Sequence, residues 1–137
     1  MIALDTNVLV RYLVNDDARH AEAARSLLEG LTAERPGFVC REVIVELVWV
    51  LQRAYGFTRD RIATVLEDLV ATEDLEVEAA EDVARAAFRY RQGGAGFPDL
   101  MIVAAARRAG ADTLYTFDRK VAQLEGVTLL EGAESDL

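Results

Sequence analysis

Short runs of β-prone residues alternate with longer stretches of helical periodicity along the whole chain, and this alternation constrains the fold more than any other feature. Ile2–Leu4, Phe38–Cys40, Leu75–Val77, Thr113–Thr116 and Val127–Leu130 predict five short strands. Between them, Val8–Asn15, Arg19–Leu31, Glu42–Tyr55, Arg59–Thr72, Ala80–Gln92 and Asp99–Ala109 repeat apolar residues at spacings of three and four, which predicts helices. Pro36-Gly37, Gly56, Gly93-Gly94 and Gly110 stand where helical runs stop. Strands that alternate with helices imply right-handed crossovers and a mainly parallel sheet covered on both faces.

A chain of 137 residues, 52% apolar, is the size of one ordinary domain, and no repeat, linker or composition shift divides it, so residues 1–137 are expected to form one unit. The apolar run Val43–Leu51 is broken by a charge and falls far short of the ~20 residues that span a bilayer, so no membrane segment is expected. Met1 leads directly into Ile2-Ala3-Leu4-Asp5 without a basic stretch or a small-residue cleavage site, which predicts a cytoplasmic protein. The lone Cys40 can form neither an internal disulfide nor a cysteine-rich metal site; it reads as a small buried residue ending a strand. With 24 acidic against 15 basic residues, the net charge of −9 argues against non-specific coating of a polyanion. An enzyme that meets phosphates through bound cations escapes that objection.

In open α/β sheets, ligands bind beyond the carboxyl ends of the strands. Asp5 follows the first predicted strand and Asp118 the fourth, while Asp99 opens a helix after Gly96-Phe97-Pro98. Each has two readings, because Asp is also a preferred helix cap and a carboxylate in a first turn is favoured by the helix dipole. Glu46 interrupts the apolar run of its helix. Either it shares a solvated stripe with Glu42 and Arg53, at spacings of four and seven, or it looks into a polar pocket. Carboxylates within ~6 Å of one another repel by about 3 kcal/mol per pair at an effective dielectric of ~20, so four gathered together persist chiefly where they bind cations. Hard oxygen donors without a Cys or His set point to Mg2+ or Mn2+ rather than zinc.

The ordered set Leu4-Asp5-Thr6-Asn7, Glu46-Leu47-Val48-Trp49-Val50-Leu51, Pro98-Asp99-Leu100 through Ala106, and Thr116-Phe117-Asp118 resembles the signature of the PIN-domain family from Ile2 to about Leu130. The resemblance implies an α/β/α sandwich of three layers with a five-stranded, mainly parallel sheet. It implies that Asp5, Glu46, Asp99 and Asp118 hold one or two Mg2+ or Mn2+ ions, and that Thr6, Asn7 and Thr116 orient them from behind. Pro98 departs from the alanine common before the third acid, yet proline suits the first turn of a helix. The implied activity is endonucleolytic hydrolysis of RNA phosphodiesters, leaving a 5'-phosphate and a 3'-hydroxyl. The compact length resembles the toxin subfamily often called VapC, which implies a homodimer and a cognate antitoxin that sets a basic side chain into the acidic pocket. A non-toxin RNA-processing nuclease and a catalytically silent PIN-fold binding module are the alternatives.

Other residues carry weaker readings. Arg119 and Lys120 beside Asp118 either touch substrate phosphates or are solvated. His20, in the polar Asp16-Asp17-Ala18-Arg19 stretch, reads as a surface residue; Trp49 and Tyr55 read as core by default, with a dimer face as the other choice. Gly93-Gly94-Ala95-Gly96 is either a mobile loop at the mouth of the site or a helix cap followed by a turn. An aspartyl phosphatase of the haloacid dehalogenase type needs a second Asp where Asn7 stands, and a receiver-like domain lacks its phospho-acceptor Asp after a middle strand and its Lys after the fifth.

Overall fold

A computed structural model describes residues 1–131. The elements run β1 (Ile2–Ala3), α1 (Thr6–Leu13), α2 (Ala18–Glu29), β2 (Gly37–Val39), α3 (Arg41–Arg53), α4 (Arg59–Ala71), β3 (Leu75–Val77), α5 (Ala80–Arg91), α6 (Phe97–Arg108), β4 (Leu114–Thr116), a 3-10 turn (Val121–Gln123) and β5 (Val127–Leu129). All six expected helices and five expected strands form. Side-chain caps explain several helix starts: Asp5 accepts from Thr6 N–H, Asp17 from His20 N–H and Thr58 from Arg61 N–H. Pro98 sits in the first turn of α6, where its missing N–H costs nothing.

The expected five-stranded sheet is divided. β1, β2 and β3 form one parallel ladder in that order, and β4 and β5 form a separate parallel pair. Strands of two or three residues make short ladders, and β1 leaves its ladder early because Asp5 turns the chain into α1. On the second unit Tyr115 is exposed, so one face of that pair meets solvent instead of a helix.

Leu47 and Leu51 of α3, Ile62 and Leu66 of α4, Val83 and Tyr90 of α5 and Phe97 and Met101 of α6 fill one core with Leu9 of α1 and Val39 of β2. Burying each large aliphatic side chain contributes roughly 1.5–3 kcal/mol, so this shared core, rather than the short ladders, holds the elements together. Gly37 lets the central strand pack closely, since a Cβ there would lie 3.0–3.1 Å from the side chains of Leu31, Leu75 and Leu4, which would have to shift to admit it. Among the described residues no helix is long and apolar enough to cross a membrane.

Two packing expectations change. Trp49 is 57% exposed, not core, because Val43, Ile44, Leu47, Val48 and Leu51 already turn the other face of α3 inward. The Arg53 guanidinium lies 5.8 Å from its ring centre. Cys40 is half-buried and stands at the N-cap of α3, one residue past the end of β2. Tyr55 packs against the core and donates its hydroxyl to Asp16 at 2.8 Å. His20 is on the surface, as expected, 3.0 Å from the Asp17 carboxylate.

Candidate active site

Both ladders run parallel, so each delivers its carboxyl ends in one direction, and the two aspartates expected there take up their positions through capping. Asp5, exposed just past β1, has extended backbone and accepts from Thr6 N–H at 2.7 Å. Asp118, exposed past β4, accepts from Lys120 N–H at 2.8 Å and Val121 N–H at 3.2 Å, which turns the chain into the 3-10 helix. Its own N–H donates to Thr116 Oγ1 at 3.0 Å. Capping therefore leaves a ligand free: the cap uses one carboxylate oxygen of each and leaves the other without a bond among the described residues.

Glu46 shares its exposed stripe with Glu42, Trp49 and Arg53, yet it is also held from across the fold. The buried Thr6 hydroxyl donates to Glu46 Oε1, linking the first turn of α1 to the middle of α3. Glu46 lines a cleft of 460 Å³ with Val45, Trp49 and Pro98, the residue before Asp99.

Asp99 differs from the other acids. It is half-buried in the first turn of α6, and among the described residues no hydrogen-bond donor reaches its carboxylate. Burial, and then the negative charge of Asp118, hold its pKa above the ordinary carboxylate value. The arrangement thus consists of a tied pair, Thr6 with Glu46 next to the Asp5 cap, and a repelling pair, Asp99 with Asp118. Among the described residues no three His, Cys, Asp or Glu side chains converge closely enough to hold one ion between them. The donor chemistry nevertheless suits a hard divalent cation: all oxygen, with one half-buried carboxylate lacking a donor and destabilised by a like charge.

Of the supporting polar residues, Thr6 and Thr116 touch Glu46 and Asp118 directly. Asn7 is exposed and borders a separate cleft with Arg11 and His20 between α1 and α2. Arg119 and Lys120 are exposed beside Asp118.

Sequence reasoning missed two arginine-centred features that hold α5 and α6. Arg59, at the start of α4, donates to the carbonyls of Tyr90, Ala95 and Gly94 at 2.9–3.1 Å and stacks 4.4 Å from the Tyr90 ring, while Arg89 donates to Gly93. The glycine loop before Asp99 is thereby pinned, with Gly93 and Gly94 at φ 90° and 91°. Asp82, 5% exposed, receives two hydrogen bonds from Arg108 and lies 3.6 Å from Arg41, whose other nitrogen donates to Met101 O. A signal for the second existed in the sequence: Asp82 falls in register with the apolar positions Val83, Ala86, Ala87 and Tyr90 of its helix.

A family model described as PIN domain matches residues 2–127. A VapC ribonuclease of Aquifex aeolicus (strain VF5) is 29% identical over 125 residues, 90% of this chain and 92% of that protein. An α/β fold of parallel strands with acids at their carboxyl ends and a match over nearly the whole length lead to one conclusion: the chain belongs to the PIN-domain family.

Proposed function

We propose that this protein is a metal-dependent endoribonuclease acting as the toxin of a toxin–antitoxin pair. The observation that carries the reading is Asp99, a half-buried carboxylate that no donor reaches among the described residues and that feels the like charge of Asp118. Such a pair is costly unless a cation joins it. Similarity to a VapC ribonuclease supports the choice of RNA as substrate.

Asp5, Glu46, Asp99 and Asp118 are the residues that would hold Mg2+ or Mn2+. When bound, the cation polarises the scissile phosphate and lowers the pKa of an attacking water. Asp118 keeps one oxygen on its own turn and offers the other; Thr6 fixes the rotamer of Glu46; Thr116 braces the backbone at Asp118. Asn7, on the exposed side of α1, is assigned a supporting role toward Asp5. No side chain of the site is required as a nucleophile, and the resemblance to the PIN-domain family implies hydrolysis that leaves a 5'-phosphate and a 3'-hydroxyl.

The protein acts in the cytoplasm as a homodimer and is silenced by a cognate antitoxin whose basic side chain enters the acidic pocket. Exposed Trp49 and Ile102, on the adjoining helices α3 and α6, supply apolar surface for self-association. Incubation of purified protein with total cellular RNA and Mg2+ or Mn2+ tests the activity, beside EDTA and an Asp5→Asn variant. Discrete fragments that vanish with EDTA and with the variant are expected. Equal inertness of both proteins across metals and RNA classes, with no antitoxin bound, would overturn the nuclease reading in favour of a binding module.

A further inference from the structure

Away from the cleft that holds Glu46 and the one beside Asn7, α5 and α6 flank a third cleft of 610 Å³ whose lining reverses the charge character of the chain. Four of the 15 basic residues, Arg85, Arg89, Arg107 and Arg108, face it, although acids outnumber bases 24 to 15 overall. Three acids also line it, and their charges are distributed unevenly. Asp82 is committed to Arg108 and Arg41, which leaves Glu81 and Glu125 against Arg85, Arg89 and Arg107. Arg89 and Arg107 each spend a nitrogen on a backbone carbonyl, of Gly93 and Glu125, which fixes the guanidinium while leaving further donors free. Arg85 is exposed and has no hydrogen bond or ion pair among the described residues.

Arg85 and Arg89 are four residues apart, so they share one face of α5, and Arg107 approaches from α6 over a floor of Ala86, Leu100 and Val103. Guanidinium groups on two sides of a cleft match phosphates spaced along a backbone, because each planar fork can donate twice to one phosphate. Position favours a nucleic acid over an acidic peptide. α6 carries Asp99 in its first turn and Arg107 in its last, so one helix leads from the acids to the cleft. A cluster of carboxylates repels a polyanion, and a polyanionic substrate needs a cationic hold beside it.

We propose that the α5–α6 cleft docks the backbone phosphates of single-stranded RNA and holds the strand beside the carboxylate site. The proposal rests on the nuclease reading for the identity of the polyanion, and binding is therefore measured separately from cleavage. Anisotropy of a fluorescein-labelled single-stranded RNA oligonucleotide, titrated with protein in EDTA at several salt concentrations, reads the cleft alone. The Arg85→Gln/Arg107→Gln double variant is expected to bind roughly tenfold more weakly, with a log–log salt slope shallower by about 0.7 for each arginine removed. Arg25→Gln removes one charge from α2, outside the cleft, and is expected to bind as wild type does. In Mn2+, the double variant should show a raised KM on RNA with kcat retained. Its hydrolysis of bis(p-nitrophenyl) phosphate, too small to reach the cleft, should be unchanged. Circular dichroism controls for folding, and the exposed Arg85→Gln single variant repeats the binding measurement should the double variant misfold. The proposal is overturned if wild type fails to bind RNA, or if the arginine variants match its affinity and salt slope. It is equally overturned if a polyglutamate peptide, and not RNA, binds in an arginine-dependent way. Arginine-dependent RNA binding without any hydrolysis would leave the docking site standing while removing the nuclease reading.

Discussion

At the scale of single residues, Thr6 and Asp99 make contributions of opposite sign to folding beside the chemistry proposed for them. Thr6 is buried and spends its hydroxyl on Glu46, so Thr6→Val keeps the shape and removes one hydrogen bond. Stability should fall by about 1 kcal/mol, within the usual range for such a bond, while RNA cleavage falls further because Glu46 loses its fixed rotamer. A urea titration beside a cleavage assay separates the two effects, and a cleavage loss no larger than the stability loss would deny Thr6 its positioning role. Asp99 gives the opposite sign. Burial and Asp118 disfavour its charged form in the folded protein, so that above its ordinary pKa of 3.8 the ionised group opposes folding. Asp99→Asn should therefore raise the urea midpoint of the metal-free protein at neutral pH while abolishing cleavage. A lowered midpoint would mean that the charge is already compensated and that no cation is needed there.

Among elements, the connection before α6 matters most, because it aims Asp99. Gly93 and Gly94 lie in the left-handed region and do not fix the loop by themselves; Arg59 does so by reaching from α4 to three carbonyls. Arg59→Met keeps much of the stem against Tyr90 and deletes those bonds. A loss of about 2–3 kcal/mol is expected, since hydrogen bonds from charged groups typically contribute 1.5–3 kcal/mol and this site is partly solvated. Hydrogen exchange should quicken at residues 93–96 before it quickens elsewhere; uniform acceleration would show that the clamp serves the whole fold and not the loop. The start of α5 holds a smaller reserve. Ala79 caps it with φ 55°, ψ 45°, a left-handed conformation that favours glycine. Ala79→Gly should stabilise by about 0.5–1 kcal/mol, read as a higher urea midpoint with an unchanged slope.

Over the whole molecule, what the sequence displayed was periodic and local, and what it hid was pairing at a distance. Helix positions were legible because apolar spacing repeats within each, and the places of the four acids, after a strand or within a helix, were legible for the same reason. The split between β1–β3 and β4–β5 was not, since short strands of similar composition carry no mark of which ladder they join. The Thr6–Glu46 bond spans forty positions, and nothing in either local pattern announces it. Core was the default reading for Trp49 because periodicity could not separate it from a dimer face, and the helical face it shares with Glu42, Glu46 and Arg53 is turned outward. The ionic tie at Asp82 was the signal left unused, and it connects three helices: Arg41 opens α3, Asp82 lies in α5, and Arg108 ends α6. Hydrogen bonds from Arg108, then charge from Arg108 and Arg41, hold the Asp82 pKa below its ordinary value of 3.8. A carboxyl with a depressed folded pKa contributes stability that is fully present above the unfolded value and is lost as pH falls through the folded one. The tie should thus survive at neutral and mildly acidic pH and fail only below about pH 4, where α6, and with it Asp99, comes loose from α3. Asp82→Asn removes the charge at every pH, and about 2–3 kcal/mol of stability should go with it at pH 7. Below the folded pKa of Asp82 wild type and variant should converge, because both are then neutral. Urea midpoints measured from pH 7 down to pH 3 carry the test. A constant gap between the two proteins across that range would show that Asp82 acts through packing and not through its charge.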